Sequence, residues 1–401
     1  MTAWPNELTD FMPRLIRVLF AIGSMQAGGS ERQILTLLQH VDRSRYAPEL
    51  YLIANDGPLQ DQIPSDVVQH CYQTRVHHSR NWIPGRIFRS QARDLAKLFE
   101  ERQIDLVYDR TYHMTLITAR ATRFRPTPRI STIVGDPRQQ FRNPVERFAR
   151  LKRHLLRDAY RTADVTAVVS DGLRQTAGDY YRLPISTFTT LSNLFDTDEI
   201  LRKSQEPIAV DRPPSSGTVR IAAVGRLSPE KGNDLLIEAV RQLRDQHPQC
   251  PTTCVDILGD GPARDELQQQ IEAAHLQEQV ILRGFVANPL PWIRQADLFC
   301  LPSRYEGMPN ALVEALLCET PVLAADCPSG PREILQNGHL GTLVPPNSAE
   351  ALATGLANII GNLSDWQGRS AAARESIEQR FSLSAGLARF DQCVAGLLGN
   401  S

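Results

Sequence analysis

A chain of 401 residues exceeds what one hydrophobic core ordinarily holds and suits two domains of about 150 to 200 residues each. Its 42% hydrophobic and 22% charged residues are those of a folded soluble protein, which excludes a disordered or fibrous chain. The net charge of -1 hides an asymmetry: residues 1–210 carry 29 Lys and Arg against 23 Asp and Glu, and residues 211–401 carry 15 against 22.

From Leu15 the chain reads as a strand (LIRVLFAI), a turn with Gly23, Gly28 and Gly29, and an amphipathic helix from near Ser30 that carries Ile34, Leu35, Leu37 and Leu38. This is a Rossmann-type opening. Arg17 interrupts the apolar run, and no run reaches the roughly 18 to 20 residues that span a bilayer. Acidic Glu7 and Asp10 precede it, unlike the basic start of a secretory leader, so the expected location is the cytoplasm. Further strands are expected at 49–54, 105–108, 130–134 and 165–169, with helices between them. Residues 202–217 (RKSQEPIAVDRPPSSG) read as a linker. A second series follows: strand VRIAAVG, a helix at 232–246, strand TCVDILG, a helix after Pro262, short strands at VILRG, DLFCLP and PVLAA, and a last helix from about 383 to 398. Repeated strand, turn and helix predict an α/β protein with doubly wound parallel sheets, whose ligands bind beyond the carboxyl ends of the strands. Loops 225–232, 259–262, 284–288 and 302–310 are therefore expected to line one crevice. The seven cysteines, at 71, 250, 254, 300, 318, 327 and 393, include no C-x-x-C pair and read as reduced, mostly buried thiols; the nine histidines form no H-x-x-x-H cluster, so no metal is expected.

Two segments carry chemistry. GRLSPEKG (Gly225 to Gly232) sets Arg226 and Lys231 on a loop before a helix, where cations and free backbone N–H groups suit a diphosphate. The helix dipole supplies only about 0.3 to 1 kcal/mol, which leaves most of the grip to the side chains. SRYEGMPNALVEAL (Ser303 to Leu316) sets Glu306 before a helix that Pro309 can start, with Glu314 inside it. Among Ala311, Leu312, Ala315 and Leu316, Glu314 needs a hydrogen-bonding partner such as a ribose diol. Each segment alone is also compatible with a solvated surface loop.

Taken together, GRLSPEKG, GDGP (Gly259 to Pro262), RGFV (Arg283 to Val286), the two glutamates eight residues apart and PVLAADCPSGPREIL resemble the retaining glycosyltransferases of family 4. The first half matches more loosely, through Ala27-Gly28-Gly29-Ser30-Glu31, AVVSDGLRQ and LSNLFDTD. The resemblance implies a GT-B fold, two Rossmann-like domains with parallel sheets facing a central cleft. On that pattern residues 1–205 bind the acceptor, 206–217 link, 218–382 bind the donor, and 383–401 form a helix that packs back toward the first domain.

Carried over residue by residue, Arg226 and Lys231 hold the donor diphosphate, Glu314 the ribose, and Glu306 the transferred sugar. Gly307, Met308, Pro309, Asn310 and Ala311 border the donor, Pro309 without an N–H to offer. Gly259 and the RGFV segment, with Arg283 and Phe285, flank the nucleobase, and Gly28 and Gly29 approach the donor from the first domain. His113, in DRTYHMTLITA, matches the family's first-domain histidine near the donor sugar, or is a capping or surface histidine. Where relatives often carry another histidine, this chain has STIVGDPRQ. Arg226, Lys231, Glu306 and His113 are the expected catalytic set. The resemblance implies no cofactor and no metal, the nucleotide-sugar being a substrate, so Asp196-Thr197-Asp198 reads as the entry to the interdomain region. CPSGPREIL resembles members that use UDP-sugars, often N-acetylated hexosamines.

Residues 123–161 carry 11 Lys and Arg and only Asp136, Glu146 and Asp158 as acids, which suits an anionic membrane surface and a polyprenyl-linked acceptor. Without an aromatic stacking platform, nucleic acid is not expected. A glycoside hydrolase would not need Arg226 and Lys231, and a dehydrogenase would need a G-x-G-x-x-G. A sugar-nucleotide epimerase of similar fold and a non-catalytic GT-B binding subunit remain as alternatives.

Overall fold

The computed structural model describes residues 14–76, 85–140, 148–208 and 217–399. The expected linker at 206–217 falls largely outside these residues, as does part of the basic stretch 123–161. The chain divides into two compact units, Met1–Ser131 and Thr132–Ser401.

Thirteen strands form two parallel sheets among the described residues. The first sheet contains β1 (Ile16–Ile22), β2 (Tyr46–Leu52), β3 (Val68–Cys71), β4 (Leu106–Arg110), β5 (Arg129–Ile133), β6 (Val165–Val168) and β7 (Phe188–Thr190), in the order 3-2-1-4-5-6-7. The second contains β8 (Val219–Val224), β9 (Thr253–Leu258), β10 (Val280–Gly284), β11 (Leu298–Leu301), β12 (Val322–Ala325) and β13 (Thr342–Val344), in the order 10-9-8-11-12-13. Near-continuous apolar runs make the central strands: Val18 to Ile22 of β1 and Leu298 to Leu301 of β11 are buried on both faces, as helices on either side of a parallel sheet require.

The helix after β1 runs from Gly29 to His40 and buries Ile34, Leu35, Leu37 and Leu38, the stripe that the 3.6-residue spacing marks. The helices Asn233–Gln246 and Ala349–Gly361 close the second core with Leu236, Ile237, Val240, Leu352, Leu356 and Ile359. β3, β7 and β13 were not expected; at three or four residues they are too short to show a pattern. The cysteines are less buried than expected, with Cys300, Cys318 and Cys327 enclosed and the other four half-buried.

In each sheet the strand order reverses once, between β1 and β4 in the first and between β8 and β11 in the second. Such a reversal opens a crevice at the carboxyl ends of the two strands, because their connections leave to opposite faces. The loops flanking these points are 23–29 and 111–112 in the first unit, and 225–232 and 302–310 in the second. Within the second unit the last helix, Leu383–Leu398, packs on the segment after β7. A Cβ at Gly386 would run into Leu194, and the Phe195 N–H donates to the Phe381 carbonyl at 2.9 Å.

Candidate active site

The second unit gathers most of the expected donor residues at the reversal between β8 and β11. GRLSPEKG leaves β8, turns through the short helix Pro229–Lys231, and reaches Gly232 at φ 67°, the left-handed region that glycine tolerates. A side chain at Gly232 would strike the Pro302 carbonyl, so this glycine lets the two loops meet. Arg304 then ties them together: its N–H donates to the Glu230 carbonyl at 2.9 Å, and its guanidinium binds the Pro229 carbonyl and Asp234. The β9 and β10 loops close on the same loop, since a Cβ at Gly259 would collide with the Gly225 carbonyl and one at Gly261 with that of Leu227. The Gly259 N–H donates to Gly284 at 2.8 Å, and that of Leu227 to Asp260 at 3.0 Å.

Beside the Arg304–Asp234 tie, this framework holds a second charged pair. Lys231 lies with its stem along Gly225 and donates from Nζ to Glu306 Oε1 at 2.6 Å. Burial works against the ammonium's charge, but the Glu306 carboxylate outweighs it, so the Lys231 pKa stands above the ordinary 10.5. The Glu306 side chain is only 8% exposed. Its Oε1 also accepts from the Ser303 hydroxyl at 2.7 Å, whereas its Oε2 accepts no hydrogen bond from any described residue. Cys327 adjoins the pair; burial first, and the Glu306 charge second, push its thiol up to about 12, so it stays protonated. Arg226 is exposed, and its guanidinium makes no hydrogen bond or ion pair among the described residues.

The turn after Glu306 is held from its far side. The Ser170 hydroxyl donates to the Gly307 carbonyl at 2.8 Å, the Asn193 N–H approaches Met308 Sδ at 3.3 Å, and the Asn193 amide donates to Asn310 Oδ1 at 2.7 Å. The Met308 and Asn310 side chains are therefore engaged with Asn193. The backbone N–H groups of Gly307, Met308, Asn310 and Ala311 find no acceptor among the described residues. Pro309 precedes the helix Asn310–Leu317, and the N–H groups of Asn310 and Ala311 lie at its positive end. Glu314 lies half-buried one turn in. Val134 and Gly135, in STIVGDPRQ, pack so closely on Gly307 that a side chain there would meet the Val134 carbonyl. Asp136, which follows, is buried and binds Arg138 at 2.7 Å.

Two expected donor residues sit differently from their neighbours. The Arg283 side chain turns to Asp256 Oδ1 at 2.6 Å and lies over the Trp292 ring, 4.9 Å from its centroid, so it braces the sheet edge. Phe285 is 59% exposed just past Gly284, an apolar face open to a planar ligand. Asp196 caps the helix Thr197–Ser204 by accepting the Glu199 N–H at 2.9 Å.

Gly28, Gly29 and His113 belong to the first unit, at the reversal between β1 and β4. Gly28 precedes the helix Gly29–His40, and Glu31 folds back over it; burial raises the Glu31 pKa. His113 is exposed in the first turn of the helix Tyr112–Ala121, directly after Thr111, which holds φ 75°. A β-branched residue there stores backbone strain, a feature that clusters at functional sites. The turn is anchored from below by fully buried Asp109, which accepts from the hydroxyls of Thr115 and Thr118 at 2.6 Å and of Ser131 at 2.7 Å. Burial raises the Asp109 pKa although Arg129 and these hydroxyls pull the other way.

Sequence reasoning missed Ser303, Arg304, Ser170 and Asn193. Ser303 opens the segment that carries Glu306, and a hydroxyl three residues before a buried carboxylate was its available signal. The bonds of Asn193 and Ser170 span more than 100 residues and leave no local trace.

The sheet order and its two reversals define a GT-B fold. A solved structure of Anabaena HepE in complex with UDP-glucose matches with TM-score 0.76 at 22% identity, over 95% of this chain and all of that one. The family model "Glycosyltransferase Family 4" matches residues 27–199 and "Glycosyl transferases group 1" matches 205–375, and between them they take in most of the chain. The chain belongs to the group 1, family 4 glycosyltransferases. An uncharacterized glycosyltransferase of Methanocaldococcus jannaschii is 29% identical over 44% of this chain and 43% of its own. The N-acetylgalactosamine-N,N'-diacetylbacillosaminyl-diphospho-undecaprenol 4-alpha-N-acetylgalactosaminyltransferase of Campylobacter jejuni is 29% identical over 52% of this chain and 54% of its own. The chain thus spans about half the length of these curated relatives.

Proposed function

We propose that this protein is a retaining glycosyltransferase that moves a hexose or N-acetylhexosamine from a nucleotide-diphosphate sugar, with UDP the favoured nucleotide, to a hydroxyl of a glycan or lipid-linked saccharide. The observation that carries the reading is the Lys231–Glu306–Ser303 cluster beside four N–H groups, at and just before the head of the helix Asn310–Leu317, that find no acceptor among the described residues. A diphosphate suits Lys231, Arg226 and the helix end; a sugar hydroxyl suits Glu306 Oε2; a ribose diol suits Glu314; and exposed Phe285 suits a base. In the reaction the bond from the anomeric carbon to the phosphate oxygen breaks, the acceptor oxygen bonds to that carbon, and the acceptor proton passes to the departing diphosphate. Cations and N–H groups fixed where that charge develops are each worth about 3 to 4 kcal/mol in the barrier. His113 is proposed to act on the transferred sugar, and no metal enters the scheme.

The nucleotide of the HepE complex and the diphospho-undecaprenol in the name of the Campylobacter relative support UDP and a lipid-linked acceptor. The helix Ala149–Arg161 supports contact with an anionic membrane at the cytoplasmic face: exposed Phe148, Leu151 and Leu155 adjoin Arg150, Arg157 and Arg161. No described helix is long and apolar enough to cross a membrane. The test of the donor assignment is a thermal-shift panel of UDP-, GDP- and ADP-sugars. Donor at 100 times its dissociation constant adds about 2.7 kcal/mol of stability, and no shift with any of them overturns the reading. Failure to co-sediment with phosphatidylserine vesicles at low salt removes the membrane contact. Release of nucleoside diphosphate only when an acceptor is present separates transfer from the epimerase alternative.

A further inference from the structure

We infer that Glu306, besides touching the transferred sugar, makes the site reject the bare nucleoside diphosphate, so that the Lys231–Glu306 pair helps to expel the spent donor. The inference rests on the donor reading above and concerns what the pair does after transfer. Three observations carry it. Glu306 is more than nine-tenths buried and has two protein donors among the described residues, Lys231 Nζ and the Ser303 hydroxyl, both on Oε1. Oε2 has none among the described residues and is not sealed off, so a ligand hydroxyl can reach it. Lys231, the partner that offsets the carboxylate's charge, is also the cation best placed for the diphosphate, its stem lying along the Gly225 turn at the end of β8.

These positions make two anions draw on one ammonium. When a nucleotide-sugar is bound, the diphosphate takes N–H donors of Lys231, and a sugar hydroxyl donating to Oε2 compensates Glu306 for the weakened pair. Once the sugar has left, that hydroxyl is gone. The buried carboxylate then faces a diphosphate that carries more charge than before, with Lys231 shared between them. Like charges a few ångströms apart in a partly desolvated site repel strongly, and the resting pair re-forms as the nucleotide departs. The site thereby favours the intact donor over the product with no moving lid, and the discrimination resides in one carboxylate.

The test is calorimetric titration of the wild type and Glu306→Gln with UDP, GDP and ADP and with UDP-glucose, GDP-mannose and ADP-glucose. Glu306→Gln keeps the shape and removes the charge. For the nucleotide that the wild type binds, the variant is expected to bind the bare diphosphate about three- to thirtyfold tighter, while the sugar-nucleotide binds no tighter or more weakly. Glu306→Ala, checked for a native melting transition, is expected to shift the same ratio in the same direction, which guards against a special effect of the amide. If both variants bind the bare diphosphate as the wild type does, or more weakly, the expulsion role is wrong while the donor site stands. If the wild type binds none of the six ligands, the donor reading itself fails and takes this role with it.

Discussion

Replacing Lys231 with Ala separates the two duties proposed for its ammonium. In the folded chain it offsets a Glu306 carboxylate that is only 8% exposed, across a 2.6 Å contact. Removing one partner of a buried pair costs about 3 to 5 kcal/mol because the other charge is left without compensation. The Lys231 side chain keeps 26% of its exposure, so water can enter the gap and the Ser303 hydroxyl still serves Oε1; the expected loss falls to about 2 to 3 kcal/mol. On the proposed donor reading the same substitution deletes a charge-assisted hydrogen bond worth about 1.5 to 3 kcal/mol, which is about 10- to 150-fold in affinity. Pairing Lys231→Ala with Glu306→Gln sorts these effects. Urea unfolding is expected to show most of the stability restored in the double variant, since no orphan charge remains. Titration is expected to leave its affinity for nucleoside diphosphate at least about tenfold below that of Glu306→Gln alone. A double variant no more stable than Lys231→Ala would refute the charge argument, and unchanged nucleotide affinity would refute the role of Lys231.

Three further outcomes are expected. Gly259→Ala sets a Cβ against the Gly225 carbonyl at φ 140°, and should destabilise the second unit by more than about 2 kcal/mol while weakening donor binding; a wild-type urea midpoint contradicts that packing. His113→Ala should lower kcat by about 10- to 100-fold, the loss of one positioned hydrogen bond, and leave donor affinity unchanged in titration; unaltered turnover removes it from the site. Glu333, which accepts the Asp171 and Gly172 N–H groups at the head of the helix Asp171–Tyr181, has its pKa raised above 4.5 by burial and then by Asp171. A carboxyl raised in the folded state contributes most below 4.5 and loses that contribution as the pH rises through its folded value. The melting temperature of the wild type should therefore fall relative to Glu333→Gln as the pH rises above 4.5, and a gap of opposite slope refutes the shift.

The sequence was most readable where function sits on a local pattern. GRLSPEKG and SRYEGMPN each hold their glycine, cation or acid within ten residues, and both lie at the strand ends where a parallel sheet exposes loops. The long buried strands and the helix stripe Ile34, Leu35, Leu37 and Leu38 were visible for the same reason. What stayed hidden depends on distant pairing. Arg283 lies inside a motif that the resemblance assigns to the nucleobase, yet its side chain goes to Asp256 on the neighbouring strand, 27 residues away. Asn193 bonds Asn310 across 117 residues, and nothing around either asparagine announces it. β7 is FTT and β13 is TLV, strands made by their neighbours more than by their own propensity.

The glycines explain why the motif residues are held together and not merely near each other. The Lys231 stem packs against the Gly225 turn, and the Gly225 carbonyl is covered by Gly259, which has no room for a Cβ and whose N–H bonds the Gly284 carbonyl. Gly232 admits the Pro302 carbonyl and so brings the β11 loop, with Ser303 and Glu306, up to Lys231. Gly232 and Gly259, from two separate motifs, thus bear on one 2.6 Å contact, and a side chain at either disturbs it without touching either charged residue. The spacing that marks the family in sequence is, in this structure, the condition for placing a buried carboxylate against an ammonium at the head of a helix. Positioned in that way, a single charged pair can serve both the binding of a donor and the release of what remains of it.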